Sequence, residues 1–396
     1  MELAAHDICT GCGACAKACP RQAIRYKNDD EGFPTPYIEK DECVECGLCN
    51  KICPALHMPK MSTILATYAA QALDRNVLKD STSGGLFTVF AREIFSRNGI
   101  VYGCIWDEQY NAVIKRAERE EEIAPMRGSK YVWSWAGDTF PEIKKYLEAG
   151  RTVLFTGLPC QVAGLKNYLR KDYENLYLLD CLCSGTPSPL AFGKYLDTIC
   201  KPEERKSLNL KFRDKDPYGV GVHITYKGKS KKCLLRVEHI TNPYYYSFYS
   251  HLIDRRSCYV CPYGTDNRVS DFTICDYWGI SNYHNDIDIK AGVSALMVNS
   301  AKGTMLLEQV KSALNLIPSR IEKIAKENNL LCNGHRRNRK IPPIRDKFFG
   351  ELRNSNWKTA EKKFLYDKTR LKQWIKQWIK VTIPPKYLRE IKRIIS

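Results

Sequence analysis

The sequence of 396 residues has no long apolar run and little that marks an exported protein. No stretch approaches the roughly eighteen apolar residues that a membrane span requires, and its start, MELAAHDIC, lacks the basic and apolar segments of a secretory signal. It also lacks the stacked aromatics and motifs of a nucleic-acid-binding module, so we expect no nucleic-acid partner. These absences predict a cytoplasmic protein, in which cysteine serves metal or redox chemistry rather than disulfides.

Cysteine, by contrast, is abundant, with 18 residues. Eight of them occur in two runs, CTGCGACAKACP and CVECGLCNKICP, that share the spacing C-x2-C-x2-C-x3-C-P. This spacing lets three thiolates bind one cubane while the fourth cysteine crosses to the other cluster. Zinc is the alternative, but zinc sites do not use paired runs of this kind. We predict two [4Fe–4S] clusters, one on Cys9, Cys12, Cys15 and Cys53, and one on Cys43, Cys46, Cys49 and Cys19.

The composition divides the chain into three parts. Residues 1–60 contain the paired cysteine runs, and residues 62–330 alternate strand, loop and helix patterns. Residues 331–396 contain 19 Lys and Arg against 5 Asp and Glu. The predicted fold class is α+β or α/β: a small two-cluster ferredoxin-like domain, a larger α/β body and a basic helical tail.

Two stretches of the body could contact a phosphate-bearing cofactor. STSGGLF places hydroxyls and two glycines before a predicted helix, which suits a phosphate or a flavin edge, although an ordinary N-cap looks the same. RGSKYV adds cations that could meet a pyrophosphate, or form a solvated loop. The candidate flavin contacts are Ser81, Ser83, Gly84, Gly85 and Lys130.

The remaining cysteines fall into two groups. Four ligands from three predicted loops could hold another cubane, and the loop cysteines are Cys160, Cys181, Cys183, Cys258 and Cys261. The other group is isolated in the sequence, and we expect buried reduced thiols there. Its members are Cys104, Cys200, Cys233, Cys275 and Cys332.

Taken together, these stretches resemble the coenzyme F420 hydrogenase/dehydrogenase beta-subunit family. The similarity runs in the family's order from Cys9 to about residue 300, and its stretches are DICTGCGAC, DEGFPTPYI, CVECGLC, STSGGLF, GSKYV, GLPCQVAGLK, CSGTPSP, FRDKDPYG, RRSCYVCPYG and SDFTICDYWGI. The resemblance implies an FAD bound by the body and a third [4Fe–4S] cluster beside it. It selects Cys183 over Cys181, so the implied ligands are Cys160, Cys183, Cys258 and Cys261.

The sequence departs from this family in two places. Cys275 stands where the family often has glycine, and the basic region from about residue 331 has no counterpart in the subunits of hydrogenase complexes. Stand-alone bacterial members of this kind are similar to proteins encoded in surface-polysaccharide loci. The resemblance therefore leaves the use of F420 open.

We predict an iron–sulfur flavoprotein oxidoreductase that passes electrons between [4Fe–4S] clusters and FAD to reduce or oxidise an organic, small or sugar-linked substrate, in surface polysaccharide biosynthesis. Its redox partner would be a ferredoxin or another electron donor or acceptor. The alternative is a non-catalytic electron-transfer subunit that serves a separate reductase. The proton donor stays open among His223, His239, His251, Asp276 and Tyr277.

The basic tail contains one further pattern. In RLKQWIKQWIK (370–380), Leu, Trp and Ile recur at helical spacing beside lysines. Tryptophan and a strongly basic flank suit an anionic membrane surface, whereas packing on the body and binding to a protein partner are the alternatives. This pattern predicts a protein peripheral to the inner face of the cell membrane.

Overall fold

The computed structural model describes residues 2–216, 219–226, 229–234, 242–284, 286–328 and 339–366. Within these ranges, no helix has both the length and the apolar character needed to cross a membrane. The N-terminal module has two antiparallel strands and two short helices: β1 (Ile24–Asn28), β2 (Pro34–Ile38), α1 (Ala14–Ala18) and α2 (Leu48–Lys51).

The body has twelve strands in the described ranges, with the following bounds: β3 Ala66–Ala72, β4 Ile100–Trp106, β5 Ala112–Ala117, β6 Ser134–Trp135, β7 Val153–Thr156, β8 Leu176–Cys181, β9 Leu208–Asp216, β10 Gly219–Tyr226, β11 Lys229–Leu234, β12 Phe272–Asp276, β13 Ser294–Val298 and β14 Leu314–Pro318. Its α-helices are α3 Arg75–Lys79, α4 Leu86–Ser96, α5 Thr139–Glu148, α6 Pro159–Leu169, α7 Pro189–Leu196, α8 Pro243–Tyr249, α9 Ala301–Val310 and α10 Ile321–Glu327. The C-terminal segment adds α11 Arg345–Asn354 and α12 Trp357–Phe364. Short 3₁₀ segments lie at Lys40–Glu42, Glu120–Met126, Pro202–Ser207, Arg256–Cys258, Ile280–Asn282, Ile289–Ala291 and Lys311–Ala313.

Nine of the strands form one mixed sheet in the order β14-β3-β13-β12-β8-β7-β4-β5-β6, and β9–β11 form a separate antiparallel sheet. The centre of the large sheet is parallel, because β12 pairs with β8, β8 with β7 and β7 with β4 in the same direction. Antiparallel strands flank this centre on both sides. The carboxyl ends of the four parallel strands therefore share one edge, where such sheets place their ligands.

Both faces of the sheet are covered by helices. Phe90 of α4 and Leu306 of α9 are buried in a cluster on one face, while Phe140 of α5 and Val162 of α6 are buried in another. This layered arrangement follows from strands that are apolar on both faces. The predicted fold class is confirmed by the cysteine-rich N-terminal region and the large mixed sheet.

Part of the predicted basic tail packs on the body. Trp357 and Phe348, from α12 and α11, are fully buried in a cluster with Phe192, Tyr195 and Tyr244 of the body. These helices lie inside residues 331–396. The basic composition of this region therefore does not show that part of it contributes to the core. The amphipathic stretch of residues 370–380 lies outside the described residues.

Candidate cluster sites and the adjoining cavity

One cysteine set lies at the outer edge of the N-terminal module. Cys19, Cys43, Cys46 and Cys49 line one pocket there. Burial raises the pKa of Cys49, and the neighbouring thiols of Cys19 and Cys46 add to the shift. Cys46 is exposed whereas Cys49 is buried, so one side of this set meets solvent.

The other N-terminal set lies deeper. Burial, reinforced by the neighbouring thiols of Cys9 and Cys53, raises the pKa of Cys12 to about 12. Burial likewise raises the pKa of Cys15, with Cys12, Cys9 and Cys53 adding to the shift. Iron binding requires thiolates, and a neutral buried thiol cluster is the form expected before iron replaces the protons. The donor set fits a cubane.

The module lies against the body through close backbone approaches. A Cβ on Gly164 of α6 would lie 2.8 Å from both the Cβ and the Sγ of Cys12. A Cβ on Gly13, whose φ is +90°, would lie 2.5 Å from the Cα of Gly137. Since both positions leave no room for a side chain, they bring the Cys12 set onto α5 and α6.

The third cysteine set consists of four loop cysteines, and the pocket that they line is the third pocket. It is lined by Cys160, at the start of α6, by Cys183, after β8, and by Cys258 and Cys261. Burial, the Asp254 carboxylate and the thiols of Cys183 and Cys261 raise the pKa of Cys258 to about 12. Burial raises the pKa of Cys160 well above its usual value, and the other three thiols add to the shift. The set is therefore mutually close and buried.

The arrangement of the thiols bears on the kind of metal site that they could form. Within the described ranges, no group of three or more His, Cys, Asp or Glu is arranged to hold one ion. In a [4Fe–4S] cubane the thiolates need not converge on one point, because each binds its own iron. The mutual closeness of the thiols within the sets is compatible with cubane clusters.

A buried ion pair anchors the loop that follows Cys261. Arg268 Nη2 lies 3.0 Å from Asp180 Oδ1 at the end of β8, and both side chains are fully buried. Arg268 Nη1 also donates to the carbonyl of Tyr263 at 2.9 Å. Burial raises the pKa of Asp180, and the Arg268 charge opposes the shift. The pair ties the Cys258–Cys261 loop to the strand that precedes Cys183.

A cavity of about 520 Å³ adjoins the third cysteine set. This volume is typical of a site for an organic cofactor or ligand. Leu182, Cys183 and Thr186 line both the cavity and the third pocket. The first turn of α4, from Leu86 to Thr88, also lines it, and no side chain caps that turn.

The structure places the five predicted flavin contacts unequally. Ser81, Ser83, Gly85 and Lys130 line the cavity, whereas Gly84 does not. The Gly84 amide donates to Ser294 Oγ at 3.0 Å, and a Cβ there would lie 2.3 Å from the carbonyl oxygen of Ala70. Gly84 therefore serves close packing against the sheet.

The serine hydroxyls are engaged locally, and the lysine is partly buried. Ser81 Oγ donates to the Val77 carbonyl at 2.6 Å, and Ser83 Oγ donates to that of Val293 at 3.0 Å. Lys130 Nζ donates to three backbone carbonyls of its own loop, the shortest at 2.8 Å. Burial lowers the pKa of Lys130 to about 8, and the Cys104 thiol opposes the shift.

Two cysteines differ from expectation. We predicted isolated buried thiols at Cys104 and Cys275, but both are half-buried and line the cavity, as does Cys181. Cys200 is buried, as expected. Strand alternation alone does not reveal which thiol faces a cavity at a strand end. The Cys233 side chain and Cys332 lie outside the described residues.

Among the candidate proton donors, Asp276 lines the cavity. Its carboxylate lies 2.5 Å from Arg213, which sequence reasoning missed. Tyr277 is buried and bonds Ser319 at 2.6 Å outside the cavity. His251 contacts the buried Asp254. The remaining two lie outside the described side chains: His223 and His239.

Aromatic side chains at the cavity were also missed. Trp278 is 51% exposed and Tyr249 is 43% exposed, and both line the cavity. Trp278 belongs to SDFTICDYWGI, one of the stretches that resemble the family. The sequence did not show that its side chain is partly exposed at a cavity. No comparable signal marked Tyr249.

Paired four-cysteine runs, buried thiol sets and a ligand-sized cavity define an iron–sulfur electron-transfer protein. Residues 8–56 match the 4Fe-4S dicluster domain, and residues 150–323 match the C-terminal region of the beta subunit of coenzyme F420 hydrogenase/dehydrogenase. The two matches confirm the resemblance that the sequence predicted, to the C-terminal region of this beta-subunit family and to a two-cluster ferredoxin module.

The chain is also distantly similar to solved structures. A chain from the F420-reducing [NiFe] hydrogenase complex of Methanosarcina barkeri, studied by xenon derivatization, is 15% identical with a TM-score of 0.45. The similarity covers 78% of the present chain and 96% of that chain. Among curated proteins, none matches.

Proposed function

We propose that the chain is an FAD-dependent oxidoreductase in which three [4Fe–4S] clusters lead to the cavity. The observation that carries this proposal is the shared loop of Leu182, Cys183 and Thr186, which lines both the third cysteine pocket and the cavity. A cofactor in the cavity would lie directly beside a cluster in that pocket.

The order of the cysteine sets supports a continuous electron path. Cys53 interacts electrostatically with Cys49 of the outer set and with Cys9 of the inner set. The inner set in turn reaches the third pocket, because Cys12 influences the pKa of Cys160. Electrons would enter from a redox partner at the exposed Cys46, beside the exposed side chain of Val44. The clusters are proposed on the twelve predicted cysteines.

The cavity residues fit a flavin dinucleotide. The uncapped first turn of α4 offers backbone amides to an anion, and Arg127 and Lys130 add positive charge to the same lining. When bound, FAD would exchange electron pairs with an organic substrate and single electrons with clusters. The chain's part is to hold the pyrophosphate, exclude water and place the substrate beside Asp276 and Trp278.

The substrate proposed here is organic, small or sugar-linked, consistent with a role in surface polysaccharide biosynthesis. The exposed Trp278 at the cavity supports a flat or sugar-ring substrate, since aromatic rings supply contact area with little loss of entropy. A second function, electron transfer to a separate reductase without catalysis, is favoured by the beta-subunit match.

The test is anaerobic reconstitution with analysis of iron and flavin. Three cubanes require about 12 irons per chain, and Cys160→Ser should lower this to about 8 while flavin stays bound. Cys200→Ser, at a buried cysteine outside the three sets, should leave both contents unchanged. A wild-type chain with about 8 irons, unaffected by Cys160→Ser, would contradict the third cluster.

Flavin binding distinguishes the catalytic function from electron transfer alone. If the chain binds FAD tightly, and NAD(P)H, reduced ferredoxin or reduced F420 reduces that FAD, the result supports the proposed oxidoreductase function. A reconstituted chain that holds its iron and takes up no flavin supports the electron-transfer role instead.

A further inference from the structure

Arg255 lies between the inner N-terminal cysteine set and the third pocket, and its side chain is 3% exposed. Its Nε donates to the carbonyl of Cys9 at 2.7 Å, and its Nη2 donates to the carbonyl of Pro34 at 3.1 Å. The same Nη2 is 3.9 Å from Cys9 Sγ. Two edges of the guanidinium are thus directed at the N-terminal module.

The remaining guanidinium nitrogen, Nη1, is unsatisfied within the part of the chain that the structure describes. Among the described residues, Nη1 of Arg255 has no hydrogen-bond partner although it is buried. Arg255 also lines the pocket of Cys160, Cys183, Cys258 and Cys261. The rest of the guanidinium is satisfied by two carbonyls and by the Phe33 ring, 5.2 Å from Cζ. Since an unsatisfied buried donor is costly, Nη1 is expected to meet a ligand at this pocket.

The backbone makes room for this orientation. Gly11 has a φ of +70°, and a Cβ at this position would lie 3.0 Å from Nη1 of Arg255. The glycine between Cys9 and Cys12 therefore serves the approach of the arginine as well as the wrapping of the cluster loop. Arg256, its neighbour, is directed away, at 3.3 Å from Glu31 and 2.7 Å from Asp346.

We propose that Arg255 is a positioning residue that links the inner cluster to the third one. Its Nη1 donates to the sulfurs of a cluster held by the third cysteine set, while Nη2 faces the Cys9 thiolate. This inference rests on the third cluster proposed above. Hydrogen bonds and positive charge at cluster sulfurs favour the reduced state, so Arg255 raises the potential of both clusters.

The experiment is a redox titration, followed by electron paramagnetic resonance, of fully reconstituted Arg255→Gln and of the charge-matched control Arg256→Gln. Losing the charge and the donor should shift the reduced-to-oxidised ratio of the inner and third clusters about tenfold toward oxidised, which is about 59 mV for one electron. The outer cluster should keep its potential, and Arg256→Gln should leave all three unchanged.

The outcomes separate this inference from the proposed function. A wild-type iron content near 8 would remove the third cluster and this link together. About 12 irons in Arg255→Gln with unchanged potentials would overturn the link alone. If Arg255→Gln fails to load, Arg255→Lys keeps the charge without the forked donors, and potentials equal to wild type would refute the role of the forked donors.

Discussion

Removing Arg345 should loosen the attachment of the N-terminal module. Arg345 of α11 is fully buried, and its guanidinium forms a two-pronged ion pair with Glu31 of the module. It also donates to the carbonyl of Asp254 at 2.7 Å and to the hydroxyl of Tyr259 at 3.1 Å. One side chain thus joins the module, the body and the C-terminal helices.

Arg345→Met leaves the Glu31 carboxylate buried with one remaining cation, Arg256, at 3.3 Å. Breaking a buried pair costs about 3–5 kcal/mol, and since Arg256 stays, we expect about 3 kcal/mol. That is a change of more than about a hundredfold in the unfolding equilibrium. The double variant Glu31→Gln/Arg345→Met should recover part of the loss, because no carboxylate is left unpaired.

The assay is anaerobic urea unfolding of the loaded protein, followed by tryptophan fluorescence and by loss of cluster absorbance. The matched control is Arg353→Met on the same helix, since Arg353 pairs with the exposed Asp30 at 3.2 Å and should matter little. If Arg345→Met and Arg353→Met lower stability equally, the buried pair does not hold the module.

Gly164→Ala should displace Cys12 and lower the iron content of the inner set, which iron analysis measures. Gly193 is a helical glycine at which an added Cβ would meet only the end of the Arg205 side chain, at 4.0 Å. Gly193→Ala should therefore stabilise the protein by up to about 1 kcal/mol, which urea unfolding measures. Cys12→Ser should remove about half of the iron bound by the N-terminal module, and an unchanged iron content would contradict its role as a ligand. Because burial lowers the pKa of Lys130 to about 8, affinity for FAD should be steady below that pH and weaken above it as the free ammonium loses its proton. Lys130→Met should abolish this dependence, and an identical pH profile in both proteins would rule out contact with the pyrophosphate. The full chain should co-sediment with anionic but not neutral vesicles, in a salt-sensitive manner, and a chain truncated after Tyr366 should not; equal, salt-insensitive behaviour of the two would exclude membrane binding by the tail.

The cluster ligands could be predicted from the sequence because they depend on local residue spacing. The chemistry of the N-terminal runs is encoded within a dozen residues each, so the cysteine spacing indicated the clusters without knowledge of the fold. Cys160 and Cys183 follow neighbouring parallel strands, β7 and β8, and strand ends that share an edge bring distant loops together.

Contacts between residues far apart in the sequence could not be predicted. The pairing of Glu31 with Arg345 leaves no local pattern in a basic segment, and nothing in the sequence distinguishes Arg255 from Arg256. Gly84 and Gly85 are adjacent, yet one packs on the sheet and the other lines the cavity. Such differences depend on which way a side chain points after folding.

The bond between Glu31 and Arg345 spans 314 positions of the chain. At about 5–20 residues per second, a ribosome needs roughly 15–60 s to make the second partner after the first. The cysteine runs thus leave the ribosome long before the surface that shelters them exists. Iron loading that precedes the end of translation would therefore occur before the buried pair of Glu31 and Arg345 can fix the module to the C-terminal helices.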